Sequence, residues 1–299
     1  GAAAAVCSQW ADGWKATSEG RRRLTQVAFD FPRDLLGTQS LSMAVISRGG
    51  DEQQLAVRSG TTVRVLARDM SSGTSFELPG SDGLVVAGEQ FLYVNGSYGD
   101  INSLTHDGAA VASYKDPDKS AYNPVLAPDG LLFCVLFDED DDTLDEIVAL
   151  NAQTLQPRYR FGLSLLNDVR GMVVVGEELF VCDRNNDRIQ VFSLAGMHRR
   201  SVTGEWKQPS GLCLVEDCLY LVEEKDDNTD KEGELINPLL GRRIFVLSLQ
   251  GDTLQVFTNP VEGQAFSDVL CCFDGMLLVP VLDAGRSNVL VAVMALRGV

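Results

Sequence analysis

A pattern of two short apolar runs separated by a tight turn recurs along this chain and limits what it can fold into. It is clearest between Asp82 and Val94, where an apolar run, the turn 88–90 and a second apolar run follow one another. Asp-Gly and Gly-Glu turns supply the backbone freedom that antiparallel hairpins need. The pattern returns at 170–181 and 210–222, with variants at 123–136 and 268–281. The chain is therefore predicted to consist of repeated β-hairpins.

After each hairpin the sequence continues with a polar connection, a third apolar run, a second turn and an outer strand. The third runs are predicted at 101–104, 146–150, 188–194, 243–249 and 288–296. Four strands in a unit that recurs roughly every forty to sixty residues are typical of a propeller blade. The innermost strands have anchors at Leu84, Val125, Met172, Leu212 and Val269, and an earlier, weaker unit covers 41–67. We therefore predict an all-β fold, a six-bladed β-propeller of four-stranded antiparallel blades.

The two ends of the chain fit a closed ring. The last unit contains only three strand-like runs, whereas 24–29 is an isolated strand-like run before the first blade. Ring closure leaves only short, protected strand edges, so this N-terminal strand is predicted to complete the last blade. Residues 1–20 are predicted to be an N-terminal tail and 21–299 a single propeller domain. No apolar window is long enough to predict a transmembrane segment.

Blade 4 carries the most specific motif of the chain, reading C-D-R-N-N-D-R-I-Q-V-F from Cys182 to Phe192. It resembles the NHL repeat, whose units carry an Asp, an Asn-containing turn and then Arg-Ile-x-Val-Phe. Blade 5 keeps R-I-F-V-L from Arg243 after a long insertion, and the other blades keep mainly the hydrophobic rhythm. Proteins with this repeat bind proteins, bind RNA when one face is basic, or in a few cases act as amidating lyases or calcium-dependent lactonase-like enzymes. The resemblance implies the fold and leaves the function open.

Charge and cysteine content narrow the choice of partner and compartment. The formal net charge of −17 repels polyanions, so nucleic acid is not predicted as a partner. Six of the seven cysteines lie in apolar strand-like runs, where free cysteine behaves as a small buried hydrophobe. Cys213 and Cys218 flank a turn whose pairing sets Cys218 opposite Val215 and Cys213 opposite Tyr220, so no direct disulfide is expected. An intracellular reducing compartment, cytoplasmic or organellar, is predicted.

Residues that enter the innermost strands of a propeller converge on its central channel. The polar residues at this position are Asp82, Asn123, Arg170, Ser210 and Asp268. The side-chain oxygen atoms of all but Arg170 could coordinate Ca²⁺. This leads to one functional hypothesis, a metal-dependent hydrolytic enzyme of the lactonase or lyase type. Arg170 would repel a cation, and the other interpretation is that these side chains cap strand ends and line a water-filled channel.

An acidic loop, residues 138–142 followed by Asp145 and Glu146, also raises the question of calcium. It departs from the EF-hand pattern because the sixth position is not glycine and Ala149 takes the twelfth. A solvated loop of mutually repelling carboxylates is the expectation, with weak divalent binding as the alternative. No catalytic residue is predicted, since no nucleophile motif is present and both histidines fall in or beside blade turns.

The insertion between Glu223 and Arg243 is the longest departure from the repeat. Long connections in compact domains are often functional, and exposed apolar side chains favour a partner that covers them. The residues predicted to bind a partner are Asp226, Asp227, Asp230, Glu232, Leu235, Ile236, Leu239 and Leu240. The leading hypothesis is a non-enzymatic scaffold, alone or as a subunit of a larger assembly, that binds a protein through one propeller face and this insertion.

Overall fold

The computed structural model describes residues 24–36, 41–47, 53–78, 85–96, 98–138, 145–225, 239–283 and 290–298. These residues form twenty-five strands and two short 3-10 turns, Arg33–Leu35 and Arg184–Asn186, with no α-helix. No helix in these ranges has the length and apolar character needed to cross a membrane. The tail predicted at 1–20 lies outside the described residues.

The strands form six antiparallel sheets, each made of segments that are consecutive in the chain apart from the last. Blades 1 and 2 contain β2 (Leu41–Ser47), β3 (Gln53–Ser59), β4 (Thr62–Leu66) and β5 (Ser72–Glu77), then β6 (Val85–Ala87), β7 (Leu92–Asn95), β8 (Asp100–Leu104) and β9 (Ala110–Lys115). Blades 3 and 4 contain β10 (Ser120–Leu126), β11 (Leu131–Phe137), β12 (Asp145–Asn151) and β13 (Pro157–Leu166), then β14 (Val169–Val175), β15 (Glu178–Asp183), β16 (Arg188–Ser193) and β17 (His198–Thr203). Blade 5 contains β18 (Pro209–Val215), β19 (Cys218–Glu223), β20 (Arg243–Ser248) and β21 (Thr253–Thr258). Blade 6 contains β22 (Gln264–Phe266), β23 (Cys271–Phe273), β24 (Met276–Asp283), β25 (Leu290–Gly298) and β1 (Leu24–Val27).

This arrangement is the predicted six-bladed β-propeller, and its core is divided among the blade interfaces. Six clusters of buried apolar side chains each lie between two neighbouring blades. Side chains on one strand point alternately to opposite faces of its sheet. In β15, Leu179 and Val181 therefore pack toward blade 3, whereas Phe180 and Cys182 pack toward blade 5. Each blade contributes to two interfaces, which is why strands such as β11 and β15 are apolar on both faces.

Strand β1 closes the ring as predicted. It pairs antiparallel with β25, with Leu24 opposite Gly298 and Val27 opposite Ala295. The strand ends at Val27 rather than at Phe29, because the chain then turns inward. Phe31 and Leu35 are buried in the cluster between blades 6 and 1. The closing segment thus contributes both backbone pairing and apolar packing.

The two faces of the propeller are distinguished by the connections that they carry. Because strands within a blade are antiparallel, the connections from strand two to strand three lie on the same face as those leading to the next blade. We call this the insertion face, since the 224–242 segment begins and ends there. The opposite turn face carries the tight turns, such as Gly176-Glu177 and Glu216-Asp217. His106 lies in such a turn and His198 begins β17, also at the turn face.

The predicted register around Cys213 and Cys218 is confirmed, and four of the six described cysteines are buried, whereas Cys218 and Cys272 are partly exposed. Val215 pairs with Cys218 and Cys213 with Tyr220, and the six cysteines in the described ranges are all free thiols. Neighbouring Cys271 and Cys272 contribute to two different interface clusters. Burial raises the pKa of the Cys213 thiol to about 12, so the reactive thiolate form is scarce at neutral pH. These cysteines act as packing residues.

Candidate functional site

The inner strands of blades 3 to 6 are interrupted where they approach the insertion face. In β10 the pairing register with β11 shifts between Tyr122 and Val125, and in β14 it shifts between Val169 and Met172. A shift also occurs in β18 between Pro209 and Gly211. In blade 6 the inner strand is divided into β22 and β23, with Ser267 to Leu270 between them. In contrast, β2 of blade 1 pairs with β3 without any shift.

These interruptions contain four of the five residues predicted to line the channel. Asn123, Arg170, Ser210 and Asp268 lie in the shifted segments of blades 3, 4, 5 and 6 respectively. A β-bulge re-aims side chains, and bulges are common beside binding sites. Asp82, the fifth residue, lies outside the described residues. Its placement stays a prediction.

The bulged strands of adjacent blades approach one another closely. A Cβ atom on Gly171 would lie 2.5 Å from the carbonyl oxygen of Ser210, and one on Gly211 would lie 2.4 Å from that of Asp268. Asn123 adopts a left-handed φ of 50° and its Nδ2 donates to the Arg170 carbonyl at 3.2 Å. Blades 3 to 6 are thereby joined side by side around the mouth of the channel.

A chain of four charged side chains crosses this mouth. Arg170 Nε lies 3.0 Å from Asp168 Oδ1, and Arg184 Nη1 pairs with the other oxygen of Asp168. Arg184 Nε also pairs with Glu224. Burial raises the pKa of Glu224, while Arg184 and Arg170 oppose that shift. The network connects the bulge of blade 4 to the first residue of the insertion in blade 5.

Two further acids hold the second and third strands of their blades together. Asp183 at the end of β15 is fully buried and accepts from Arg188 Nε at 2.6 Å and from the Asn167 amide at 2.8 Å. Glu223 at the end of β19 is equally buried. It accepts from Arg243 Nε at 2.8 Å and from the Lys207 amide at 2.8 Å. The acid and the arginine of the NHL-like motif thus recur structurally in blade 5, on either side of the insertion.

The position of Asp145 contradicts the prediction that the acidic loop is solvated. Its side chain is buried at the start of β12 and accepts a hydrogen bond from the Val169 amide of blade 4. Burial raises the pKa of Asp145 to about 6. Oε2 of Glu146 lies 3.5 Å from Arg160 Nη1 and 3.8 Å from Lys119 Nζ. The expectation of solvated, mutually repelling carboxylates was wrong for these two residues; 139–144 lie outside the described residues.

The last described charge at the mouth is Asp268, beside a small cavity between blades 5 and 6. Its carboxylate accepts from Ser210 Oγ at 3.3 Å and from Ser267 Oγ at 3.2 Å. The cavity has a volume of about 170 Å³. The residues that line it are Ser210, Glu223, Glu224, Lys225, Phe266, Ser267, Asp268 and Leu282.

Of the residues predicted to bind a partner, only two belong to the described part of the chain. Asp226, Asp227, Asp230, Glu232, Leu235 and Ile236 lie outside it. Leu239 is 48% exposed, whereas Leu240 is buried at 8%. The Gly241 carbonyl accepts from the Phe266 amide at 2.7 Å, and the Arg242 carbonyl accepts from the Asn259 amide at 2.8 Å. The end of the insertion is therefore anchored to blade 6, and Leu240 has little surface left for a partner.

Two of the described groups at the channel mouth are already engaged by other protein groups. The carboxylate of Asp168 is occupied by Arg170 and Arg184, and the Asn123 amide group donates to a carbonyl. Within the described ranges, no three His, Cys, Asp or Glu side chains are grouped as metal ligands.

Sequence reasoning missed Arg184, Glu224 and Asp145 as residues of the channel mouth. Arg184 and Glu224 follow directly after strand two of their blades, and each donates its amide to the residue before the inner strand, Asp168 or Gln208. Aligning the blades on Asp183 and Glu223 would have revealed that these two positions are equivalent. Asp145 could not be found by such an alignment. It follows five acidic residues and a threonine-leucine pair, in a connection that has no counterpart in the other blades.

Comparison with known proteins supports the fold. No family model and no curated protein matches the chain. A luciferin-regenerating enzyme is 14% identical with a TM-score of 0.61, covering 93% of this chain and 96% of its own. Virginiamycin B lyase from Staphylococcus aureus is 13% identical with a TM-score of 0.56, covering 92% and 99%. A chain of the nidogen–laminin complex is 12% identical with a TM-score of 0.55, covering 72% and 79%. At these identities the similarity is one of fold alone.

Proposed function

We propose that this chain is a non-enzymatic scaffold that binds a protein partner through its insertion face, alone or as a subunit of a larger assembly. The observation that carries the proposal is that four of the seven exposed large apolar side chains in the described ranges belong to this face. Tyr98, Leu163, Leu239 and Val261 are 81%, 53%, 48% and 47% exposed. All four lie in or beside connections of the insertion face, and such surface favours a covering partner.

The backbones of Leu239 and Val261 both bind Arg242 at the base of the insertion. The Arg242 amide donates to the Leu239 carbonyl at 3.1 Å, and Arg242 Nη2 donates to the Val261 carbonyl at 3.4 Å. Arg242 therefore holds the two backbones together, so that a partner can cover both side chains at once. Interface cores of this kind, with apolar residues inside a polar rim, are common in protein complexes.

The same proposal includes the repeat family, the class of partner and the compartment. The chain is of the NHL-repeat kind, supported by the buried acid and arginine pairs of blades 4 and 5. Its partner is a protein rather than a nucleic acid, supported by the net charge of −17. One fold neighbour comes from a protein complex, that of nidogen and laminin. The compartment is proposed to be reducing and intracellular, because the six described cysteines are free thiols and four of them are buried.

The test is partner capture by purified variants. Tagged protein is incubated with extract from the native source, and bound proteins are identified by mass spectrometry. The double change Leu239→Ser and Val261→Ser should remove the specific partner. Met197→Ser is the matched control, because Met197 is 56% exposed but lies on the turn face. Undiminished capture by the double variant, or an equal loss in the control, contradicts the proposed surface.

A metal-dependent enzyme of the lactonase or lyase type is the second candidate. The bulged inner strands favour it, since bulges often accompany active sites, and two fold neighbours are enzymes by name. It requires Asp82, Asn123, Ser210 and Asp268 to hold a metal at the channel, against the positive charge of Arg170. Metal analysis of the purified protein tests this candidate. The enzyme is supported if the protein holds a stoichiometric ion and if Asp268→Ala abolishes both the bound ion and turnover.

A further inference from the structure

The cavity between blades 5 and 6 opens beside the start of the insertion. Ser210 comes from the bulge of β18, and Ser267 and Asp268 come from the bulge between β22 and β23. Glu224 and Lys225 are the first insertion residues. A single water occupies about 30 Å³ in the liquid, so 170 Å³ corresponds to several waters or to one long side chain.

The carboxylates around this cavity differ in how they are neutralised. Glu223 is paired with Arg243, and Glu224 is paired with Arg184. Asp268 is bound by the hydroxyl groups of Ser210 and Ser267, and no cation of the described residues pairs with it. A carboxylate with neutral donors only retains its attraction for a cation.

The remaining lining is suited to an aliphatic chain. Phe266 and Leu282 contribute apolar walls, while the hydroxyls and Asp268 supply acceptors. Lysine and arginine bury their methylene stems against apolar surface and direct the charged head to polar atoms. Apolar walls that lead to an acceptor group are what such a side chain requires.

We propose that this cavity receives a lysine or arginine side chain of the protein partner, with its cationic head at Asp268 and its stem against Phe266 and Leu282. The inference rests on the proposed function, since it assigns one contact of the same insertion face. It also gives the partner a chemical character, a basic segment that is complementary to a chain of net charge −17. Desolvated, oppositely charged contacts of this kind set the orientation of a partner.

The charge of Lys225 allows a further test of whether the cavity binds a cationic side chain. It is the one cation among the residues that line the cavity, and its charge opposes the entry of a second one. A Cβ on Gly241 would lie 2.6 Å from the Lys225 Cα, so the start and the end of the insertion meet here. Replacing Lys225 with methionine keeps the length of the side chain and removes the opposing charge.

The experiment titrates the full protein with blocked amino acids and follows binding by saturation-transfer NMR. The probes are the N-acetyl N-methylamides of lysine, arginine and norleucine, the last being a neutral analogue of lysine. The lysine and arginine probes should bind at least tenfold more tightly than norleucine, weakening as salt is added. Equal binding of the norleucine probe, or no binding of any probe, overturns the inference.

Three variants locate the contact. Asp268→Asn should weaken the lysine probe about tenfold, whereas Glu177→Gln, which removes the same charge on the turn face, should leave it unchanged. Lys225→Met should strengthen binding about threefold. Equal effects of Asp268→Asn and Glu177→Gln, or weaker binding to Lys225→Met, overturn the assignment. Circular dichroism verifies that each variant is folded.

The inference and the proposed function fail in different assays. If the Leu239→Ser and Val261→Ser variant loses its partner while the lysine probe does not bind, only the cavity assignment is overturned. If that variant retains full capture, the insertion-face proposal itself is contradicted, whatever the probes do. If the probes bind but Asp268→Asn captures the partner as well as the parent does, the cavity accepts free amines and the partner contact is overturned.

Discussion

Blades 4 and 5 hold strands two and three together with equivalent pairs, yet they connect those strands very differently. In blade 4, Asp183 and Arg188 are separated by residues 184–187, which form a single 3-10 turn. In blade 5, Glu223 and Arg243 are separated by residues 224–242. Both acids are fully buried, and each also accepts an amide from the loop that leads into its own blade.

The difference shows which part of the repeat maintains the blade. The acid and the arginine hold the strand ends, so the pairing of β19 with β20 is only one residue pair shorter than that of β15 with β16 despite the longer connection. Long surface insertions also carry a modest entropic cost, which grows only slowly with length. Blade 5 can therefore carry a binding segment without loss of its own structure.

The strongest challenge to this comparison is to remove each buried acid. Asp183→Ala and Glu223→Ala should each lower the free energy of unfolding by about 3 kcal/mol, because a partly buried arginine and a backbone amide lose their acceptor. Urea denaturation measures both values. The control is Asp252→Ala in a turn of blade 5, which should change stability by less than about 0.5 kcal/mol. A much smaller loss for Glu223→Ala than for Asp183→Ala would show that the two pairs are not equivalent.

Blade 3 extends the comparison, because its buried acid has no ion pair among the described residues. The folded protein holds the proton of Asp145 up to a pKa of about 6, against an ordinary value of 3.8. Between these values unfolding releases a proton, so this residue makes the protein less stable as pH rises from about 4 to 6. Asp145→Asn should remove that dependence. The free energy of unfolding of the variant should rise by roughly 2–3 kcal/mol relative to that of the parent between pH 4 and pH 6.

Denaturation of both proteins at several pH values from 4 to 7 measures this effect. Asparagine can still accept the Val169 amide, so the hydrogen bond is preserved while the charge is removed. If the stability difference between the two proteins stays constant with pH, the carboxyl group of Asp145 is already ionised at pH 4.

A smaller effect is expected where the two blades meet. Arg184 and Glu224 occupy equivalent positions with opposite charges, and they pair across the channel mouth. A double-mutant cycle with Arg184→Met and Glu224→Gln should give a coupling energy of about 1 kcal/mol, as partly exposed pairs do. A coupling energy near zero would mean that the pair is too well solvated to connect the blades.

The smallest effect on stability should come from shortening the insertion. Replacing 226–238 with a short Gly-Ser link retains Leu239 to Arg242, which anchor the segment to blade 6. The free energy of unfolding should change by less than about 1 kcal/mol, whereas partner capture should be lost. Retained capture would remove residues 226–238 from the binding surface, and a large loss of stability would contradict the independence of the blade from its insertion.

The fold could be predicted from sequence because a propeller repeats its hydrophobic pattern. The hairpin around Glu216-Asp217 set the pairing of Cys213 with Tyr220, and the isolated run after Arg23 indicated the closing strand. Turn chemistry and strand periodicity act over a few residues, and they can be read locally.

The channel mouth was less accessible to prediction because it depends on contacts between blades. Asn123, Arg170, Ser210 and Asp268 were selected by their repeat position, and the bulges that contain them were not foreseen. The partners of Arg184 and Asp145 come from other blades, namely Glu224 and Val169. Leu240 was assigned to a partner surface because it is apolar, but it is buried. Burial and pairing of this kind are set by three-dimensional neighbours rather than by local pattern.

The closing strand has a consequence for the order in which this chain can be assembled. Leu24 pairs with Gly298, so the first described strand must wait until the last described strand has been made. Blades 1 to 5 can form as soon as their own strands are synthesised, since each uses consecutive segments. Contacts with such long sequence separation are slow to form. Completion of blade 6 is therefore expected to be the last folding event, and any truncation within β25 leaves β1 without a place to pair.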